Sequence, residues 1–351
     1  MIVPFRDEGG CLVVFACAGC GAVMTARVAR VALPDHSGQM YGHDLLANLL
    51  QPGTYAVDPG NGRPWQPSEP EPEERGVRLL TYSITGPSNR IAIAPGDVPR
   101  TVFIPERLGG CCRGWDGQYG PNLACAQCGC PVATRVDDCG FWQVVWLQPD
   151  AVRPVAVDGP VQRVMNWDEL PGTSSIDPHD RWGPPWEAAV AVALAHLLVI
   201  SAGRRVTVPE GPVAAAFRRA IDSLLPTEPP ARQLVLAGPG LSPTIMDIAL
   251  VPKHPQTGEV WPGAAGTVVP LAADVWTYMA FNDDRRLMPA ARGMPAGVRR
   301  DDPPPLLPHT LFRPDGRVFL STLERLAPDP QPWLRRIFDL VRDRPYMDPF
   351  S

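Results

Sequence analysis

The phrase that most constrains what this chain can fold into is Cys-x-x-Cys-Gly, and it occurs twice. Residues 15–28 read FACAGCGAVMTARV and residues 123–136 read LACAQCGCPVATRV. Laid over one another at an offset of 108 residues, 16–28 and 124–136 agree at seven of thirteen positions. The shared positions are an alanine, both cysteines, the alanine after the first cysteine, the glycine after the second, and a closing Arg-Val pair. Two thiols spaced by two residues sit on one tight turn, and glycine supplies the positive φ that closes it. One such turn offers two corners of a tetrahedron, so two turns complete a four-thiolate zinc site with Zn–S distances near ~2.3 Å. The pairs Cys17/Cys20 and Cys125/Cys128 are therefore expected to share one Zn2+ and to clamp two distant hairpins of zinc-ribbon type together. Four thiolates leave no open coordination position, which predicts a structural metal.

The chain has nine cysteines, and five remain after this assignment. Cys111, Cys112 and Cys139 are enough to begin a second metal site. A rival arrangement also stands. Cys112, Cys125, Cys128 and Cys139 could form a local site, leaving Cys17 and Cys20 to be completed by Cys11, His36 or His43. The repeat favours the shared site. Cys11 and Cys130 read as small buried hydrophobes.

All nine cysteines lie before residue 140, and this is the sharpest composition shift in the chain of 351 residues. It divides the sequence into a β-rich zinc-binding domain, 1–155, and a mixed α/β domain, 156–351, an α+β protein as a whole. In the first part CLVVFAC, VRLLTYSIT, RIAIAP, TVFIP and FWQVVWL are short β-branched or aromatic runs between turn residues, as strands require. Residues 58–76 form a proline-rich acidic loop, and LLANLLQPG is a short helix or an apolar turn. In the second part PPWEAAVAVALAHLLVIS is apolar nearly all round, so it predicts a helix buried on most sides. GPVAAAFRRAIDSLL, LAADVWTYMAF and QPWLRRIFDLVRDR read as further helices; in the last, Trp333, Leu334, Ile337, Phe338 and Val341 follow helical spacing. RRVTV, RQLVLAG and MDIALVP read as strands, and residues 293–309 as a proline-rich loop.

Several function classes lose support. A formal net charge of −5 gives no general attraction to nucleic acid or anionic membrane. Arg27, Arg30, Arg113 and Arg135 flank the cysteines, but no basic stripe with interleaved aromatics accompanies them. The longest apolar run holds Glu187 and His196 and falls short of the ~20 residues a bilayer span needs. The N-terminus shows no basic segment followed by an apolar run, so a cytoplasmic protein is expected, in a compartment where thiols stay reduced. G-x-G-x-x-G, G-x-x-x-x-G-K-[ST], H-E-x-x-H and G-x-S-x-G are all missing. LAGPGLSPT follows a strand, but its proline removes an amide that a phosphate cradle would use. His36, His43, His254 and His309 read as loop histidines and His196 as a core histidine. Trp115, Trp142 and Trp146 read as packing over a zinc-centred core rather than a ligand cage.

Through the repeat and GGCCRGWDGQYGPNLACAQCGCPVATRVDDCGFWQVVWL, the chain resembles a group of uncharacterised proteins of high-GC actinobacteria with paired Cys-x-x-Cys hairpins. The Arg-rich, Lys-poor composition, with Lys253 the only lysine, agrees with such a genome. The likeness continues through PHDRWGPPWEAAVAVALAHL and LVPKHPQTGEVW and brings no mechanism with it. Residues 10–150 also resemble β-tent zinc folds, the class of the B-type methionine sulfoxide reductases and the cereblon ligand-binding domain. That likeness rests on Cys17, Cys20, Cys125 and Cys128 alone. The expected function is a zinc-stabilised binding or adaptor protein for a protein or small-molecule partner. A thiol- or zinc-dependent enzyme using the surplus cysteines is the alternative, and nucleic-acid binding comes last.

Overall fold

The computed structural model describes residues 11–60, 89–110, 112, 114–160, 162–177, 181–228, 230–242, 247–281, 311–343 and 350. The expected strand VRLLTYSIT, the loop at 293–309, most of the acidic loop, His309, Cys111 and Arg113 lie outside them. The fold is α+β, a curled mixed sheet and a separate parallel sheet with helices. The chain divides into two compact units, one of residues 1–165 with 255–258 and one of 166–254 with 259–351.

The first unit is a nine-stranded sheet. Its strands are β1 (Leu12–Cys17), β2 (Val28–Arg30), β3 (Thr54–Val57), β4 (Ile91–Ile93), β5 (Thr101–Phe103), β6 (Leu123–Cys125), β7 (Pro131–Val136), β8 (Val144–Leu147) and β9 (Val152–Val157). They run in the spatial order β5-β6-β7-β8-β4-β3-β2-β1-β9. Neighbours are antiparallel except β2 and β3. Side chains alternate between the faces, as strand geometry dictates. Ile91, Ile93, Val145 and Leu147 join Phe15, Met24, Val132 and the Cys17 and Cys125 side chains in one core. Ala92, Val144 and Trp146 face the other way, onto Leu49, Leu50 and Phe141. LLANLLQPG forms no helix; it is an apolar turn that seats Leu49 and Leu50 in this second cluster.

β9 is a strand the sequence hides, because Pro154 interrupts it. The proline is tolerated because β9 is an edge strand, with β1 on one side and no partner on the other among the described residues. The first unit thus runs beyond residue 155, since β9 pairs Val157 with Leu12.

In the second unit, β10 (Val206–Thr207), β11 (Arg232–Leu236), β12 (Ile248–Lys253) and β13 (Thr267–Ala272) form a parallel sheet in chain order. β12 is buried along nearly its whole length, as the interior strand of a covered parallel sheet must be. The helices are α1 (Pro184–Ser201), α2 (Pro212–Leu224), α3 (Ala273–Phe281), α4 (Gly316–Leu326) and α5 (Pro332–Arg342). α1 packs on α4 and β13. It is apolar enough to cross a bilayer by composition, yet most of its residues are buried inside this unit. Two prolines open it, where no amide partner is lost. Trp186 near its start is fully buried and donates its indole N–H to the Thr173 carbonyl at 2.8 Å. On α5, Leu334, Ile337, Phe338 and Val341 form the buried stripe, while Trp333 is only partly covered.

Candidate metal centre

The two cysteine hairpins fold alike. In the first, the Cys17 amide donates to the Ala22 carbonyl (2.8 Å) and the Gly21 amide to the Cys17 carbonyl (2.9 Å). In the second, the Cys125 amide donates to the Cys130 carbonyl and the Gly129 amide to the Cys125 carbonyl, both at 2.9 Å. Gly21 sits at φ +75° and Gly129 at φ +74°. The sequence repeat is therefore a repeat of one backbone conformation, with glycine where an L side chain would be strained.

Cys17 ends β1 and Cys125 ends β6. Five strands separate β1 from β6 in the sheet order, yet the two cysteines meet, because the sheet curls until its hairpin tips converge. Residues between Asp97 and Arg100 tie the tips together. The Ala26 amide donates to the Asp97 carbonyl, and the Ala126 amide to the Arg100 carbonyl. Asn122, fully buried before β6, holds the second hairpin in register. Its side chain accepts from the Arg135 amide (2.7 Å) and donates to the Arg135 carbonyl (2.9 Å).

The sulfurs of Cys17, Cys20, Cys125 and Cys128 all lie within 4.8 Å of one another. Cys17 Sγ is 3.6 Å from Cys128 Sγ, and Cys20 Sγ is 3.7 Å from Cys125 Sγ. A tetrahedron with ~2.3 Å Zn–S bonds has edges of about 3.8 Å. The four-thiol cluster is thus compatible with a metal ion of zinc's size, held by two ligands from each hairpin. Cys17 and Cys125 are buried, and Cys20 and Cys128 face out.

The thiols respond to this crowding in opposite directions. Burial pushes the Cys17 thiol up, but the Cys20 and Gly19 amides aimed at it, with the neighbouring thiols, bring it down to about 7. The Ala22 amide lowers Cys20, but burial and the sulfurs of Cys128, Cys125 and Cys17 push it up to about 12. Four thiolates cannot share so small a volume without a cation, and a divalent ion supplies the missing charge.

A second cluster brings together a histidine and two cysteines. His43 Nδ1 lies 3.6 Å from Cys139 Sγ and 3.8 Å from Cys112 Sγ. All three ligand atoms fall within 4.8 Å of one another. Cys112 and Cys139 belong to the set expected from sequence; His43, expected as a loop histidine or as a ligand completing Cys17 and Cys20, joins them instead. No spacing motif joins His43 to them; only the folded backbone does.

Other expectations need correcting. Cys11 and Cys130 are exposed rather than buried. His254 is buried, not a surface residue, and meets the Trp167 ring edge-on at 5.0 Å between centroids. His36 lies against the Trp142 ring at 4.3 Å, and desolvation pushes its imidazole down to about 4. The tryptophans near the cysteines go to different partners. Trp146 is buried under the Arg90 guanidinium (3.8 Å), and Trp115 meets the Phe103 ring at a tilt, 4.5 Å between centroids.

No family model matches the chain, and neither a curated protein nor a solved structure proved similar to it.

Proposed function

We propose that this is a cytosolic binding or adaptor protein whose β-rich unit is held in shape by one structural zinc at Cys17, Cys20, Cys125 and Cys128. The observation that carries the reading is the convergence of both hairpins on a closed set of four sulfurs, a donor set that structural zinc favours. The eight described cysteines form no disulfide, which suits a reducing compartment. The docking surface is the β5 edge, which pairs only with β6 among the described residues and exposes Val102 and Phe103, with Tyr119 also exposed. An edge strand with exposed apolar side chains suits partner binding by strand addition.

The test is photo-crosslinking in cells from position Val102. A discrete adduct is expected, lost on Phe103→Glu and on Cys125→Ser, the latter together with one equivalent of metal. A metal-loaded chain that yields no adduct would overturn the binding reading. The second reading, a metal-dependent enzyme, draws its support from the His43, Cys112 and Cys139 cluster.

A further inference from the structure

We propose that His43, Cys112 and Cys139 hold a second divalent metal, zinc by donor chemistry, with the fourth position taken by water or a small anion from solution. The inference stands apart from the binding-protein reading and concerns different residues from the closed site.

The distances carry it first. Tetrahedral zinc with ~2.3 Å bonds to sulfur and ~2.0–2.1 Å to nitrogen sets sulfur–nitrogen edges at about 3.6 Å. The two observed here are 3.6 and 3.8 Å. Both sulfurs face the same Nδ1.

The surrounding backbone is built to hold these three groups. The Asp138 carboxylate, nearly fully buried, accepts from the amides of Cys112 (3.3 Å), Gly114 (3.0 Å) and Cys139 (2.8 Å). One side chain therefore fixes both cysteine-bearing segments. His43 is fixed by its neighbours. The Tyr41 amide donates to the Gly140 carbonyl (2.8 Å) and the Gly140 amide to the Asp44 carbonyl (2.7 Å), bracketing the histidine beside Cys139. Gly140 is at φ +79°, and a Cβ there would come within 2.6 Å of the Gly42 carbonyl. Gly110 likewise leaves room for Asp138, whose Oδ2 a Cβ would approach to 2.7 Å. Amides held on a carboxylate behind the ligands are the outer support that metal sites use to orient their donors.

The donor set and its exposure separate this cluster from the closed one. His43 and Cys112 are exposed while Cys139 is covered, so solvent reaches two of the three ligands. Two cysteines and a histidine with one position left over is a ligand set of catalytic zinc centres, which bind and acidify water.

The experiment is metal titration of the full chain with Zn2+, and separately with Co2+ as an optical probe, using azide as the exogenous donor. Two equivalents are expected in the unaltered chain. His43→Ala, Cys112→Ala and Cys139→Ala should each keep one, with near-UV circular dichroism checking the fold. Cys111→Ala should keep both. In the Co2+ form azide should shift the visible bands of the unaltered chain and leave those of Cys139→Ala unchanged. Three results would overturn the proposal: one equivalent in the unaltered chain, loss of the second metal on Cys111→Ala, or an azide-insensitive spectrum. The first and last need no variant to fold.

Discussion

The two turn glycines offer a clean perturbation, because the structure isolates one cost. A Cβ built on Gly21 or Gly129 meets nothing within 4 Å, so alanine at either position creates no clash. What remains is backbone strain at φ +75° and +74°. An L residue in the left-handed region costs about 1–2 kcal/mol. Gly129→Ala should therefore lower stability by about that amount. If the strain is released when the turn lets go of its metal, zinc affinity should fall about five- to thirtyfold, taking ~1.4 kcal/mol per tenfold. Gly21→Ala should cost the same, and the double variant about twice as much if the two turns strain independently. Asparagine tolerates the left-handed region better, so Gly129→Asn should recover part of the loss. Gly19→Ala is the control for backbone strain, since its φ is not positive and its Cβ would press Cys130 Sγ at 3.3 Å and meet Cys17 Sγ at an ordinary 3.7 Å. Zinc competition against a chromophoric chelator, with urea unfolding in parallel, measures both quantities. The reasoning fails if Gly129→Ala behaves as the parent chain, or if asparagine costs as much as alanine.

Two further predictions concern buried polar groups. On α1, desolvation raises the Glu187 carboxyl to about 8, with Asp315 adding to the shift and Arg313 opposing it. The folded chain then holds a proton that the unfolded chain has released above its ordinary value of 4.5. Stability should fall as pH rises from about 4.5 to about 8 and level off beyond, by about 5 kcal/mol at most given ~1.4 kcal/mol per unit. Glu187→Gln should flatten that slope and stabilise the chain above pH 8, read by urea midpoints across pH; an unchanged slope would reject the assignment. Asn122→Ala should cost about 1–3 kcal/mol, because it strips partners from the Arg135 amide and carbonyl. Thermal unfolding measures it, and a loss below ~0.5 kcal/mol would mean water replaces the amide.

Much of the fold was legible because local chemistry decided it. The cysteine turns follow from Cys-x-x-Cys-Gly alone, and α1 from an apolar run interrupted only by Glu187 and His196. What escaped depends on distant partners or on signals read against the usual rule. β9 carries Pro154, which excludes an interior strand but not an edge strand. α4 had a start signal in Asp315, whose side chain accepts from the Val318 amide at 2.8 Å, with Val318, Phe319, Thr322 and Leu323 on its buried face. The proline-rich stretch before it hides that signal. His43 could not be found by spacing, since 69 residues separate it from Cys112 and 96 from Cys139. The pairing of Gly140 with Tyr41 and Asp44 brings them together, and neither segment announces that pairing.

The convergence of the hairpin tips sets a schedule for the newly made chain. Cys17 and Cys20 leave the ribosome as half a site, and Cys125 follows 108 residues later. At ~5–20 residues per second, that gap lasts roughly 5–20 s. During it, the first pair of thiols has no second pair to share a metal with and is open to oxidation or to mispairing with another chain. If the closed site holds zinc as proposed, zinc scarcity would harm this protein during synthesis first and leave finished molecules comparatively untouched.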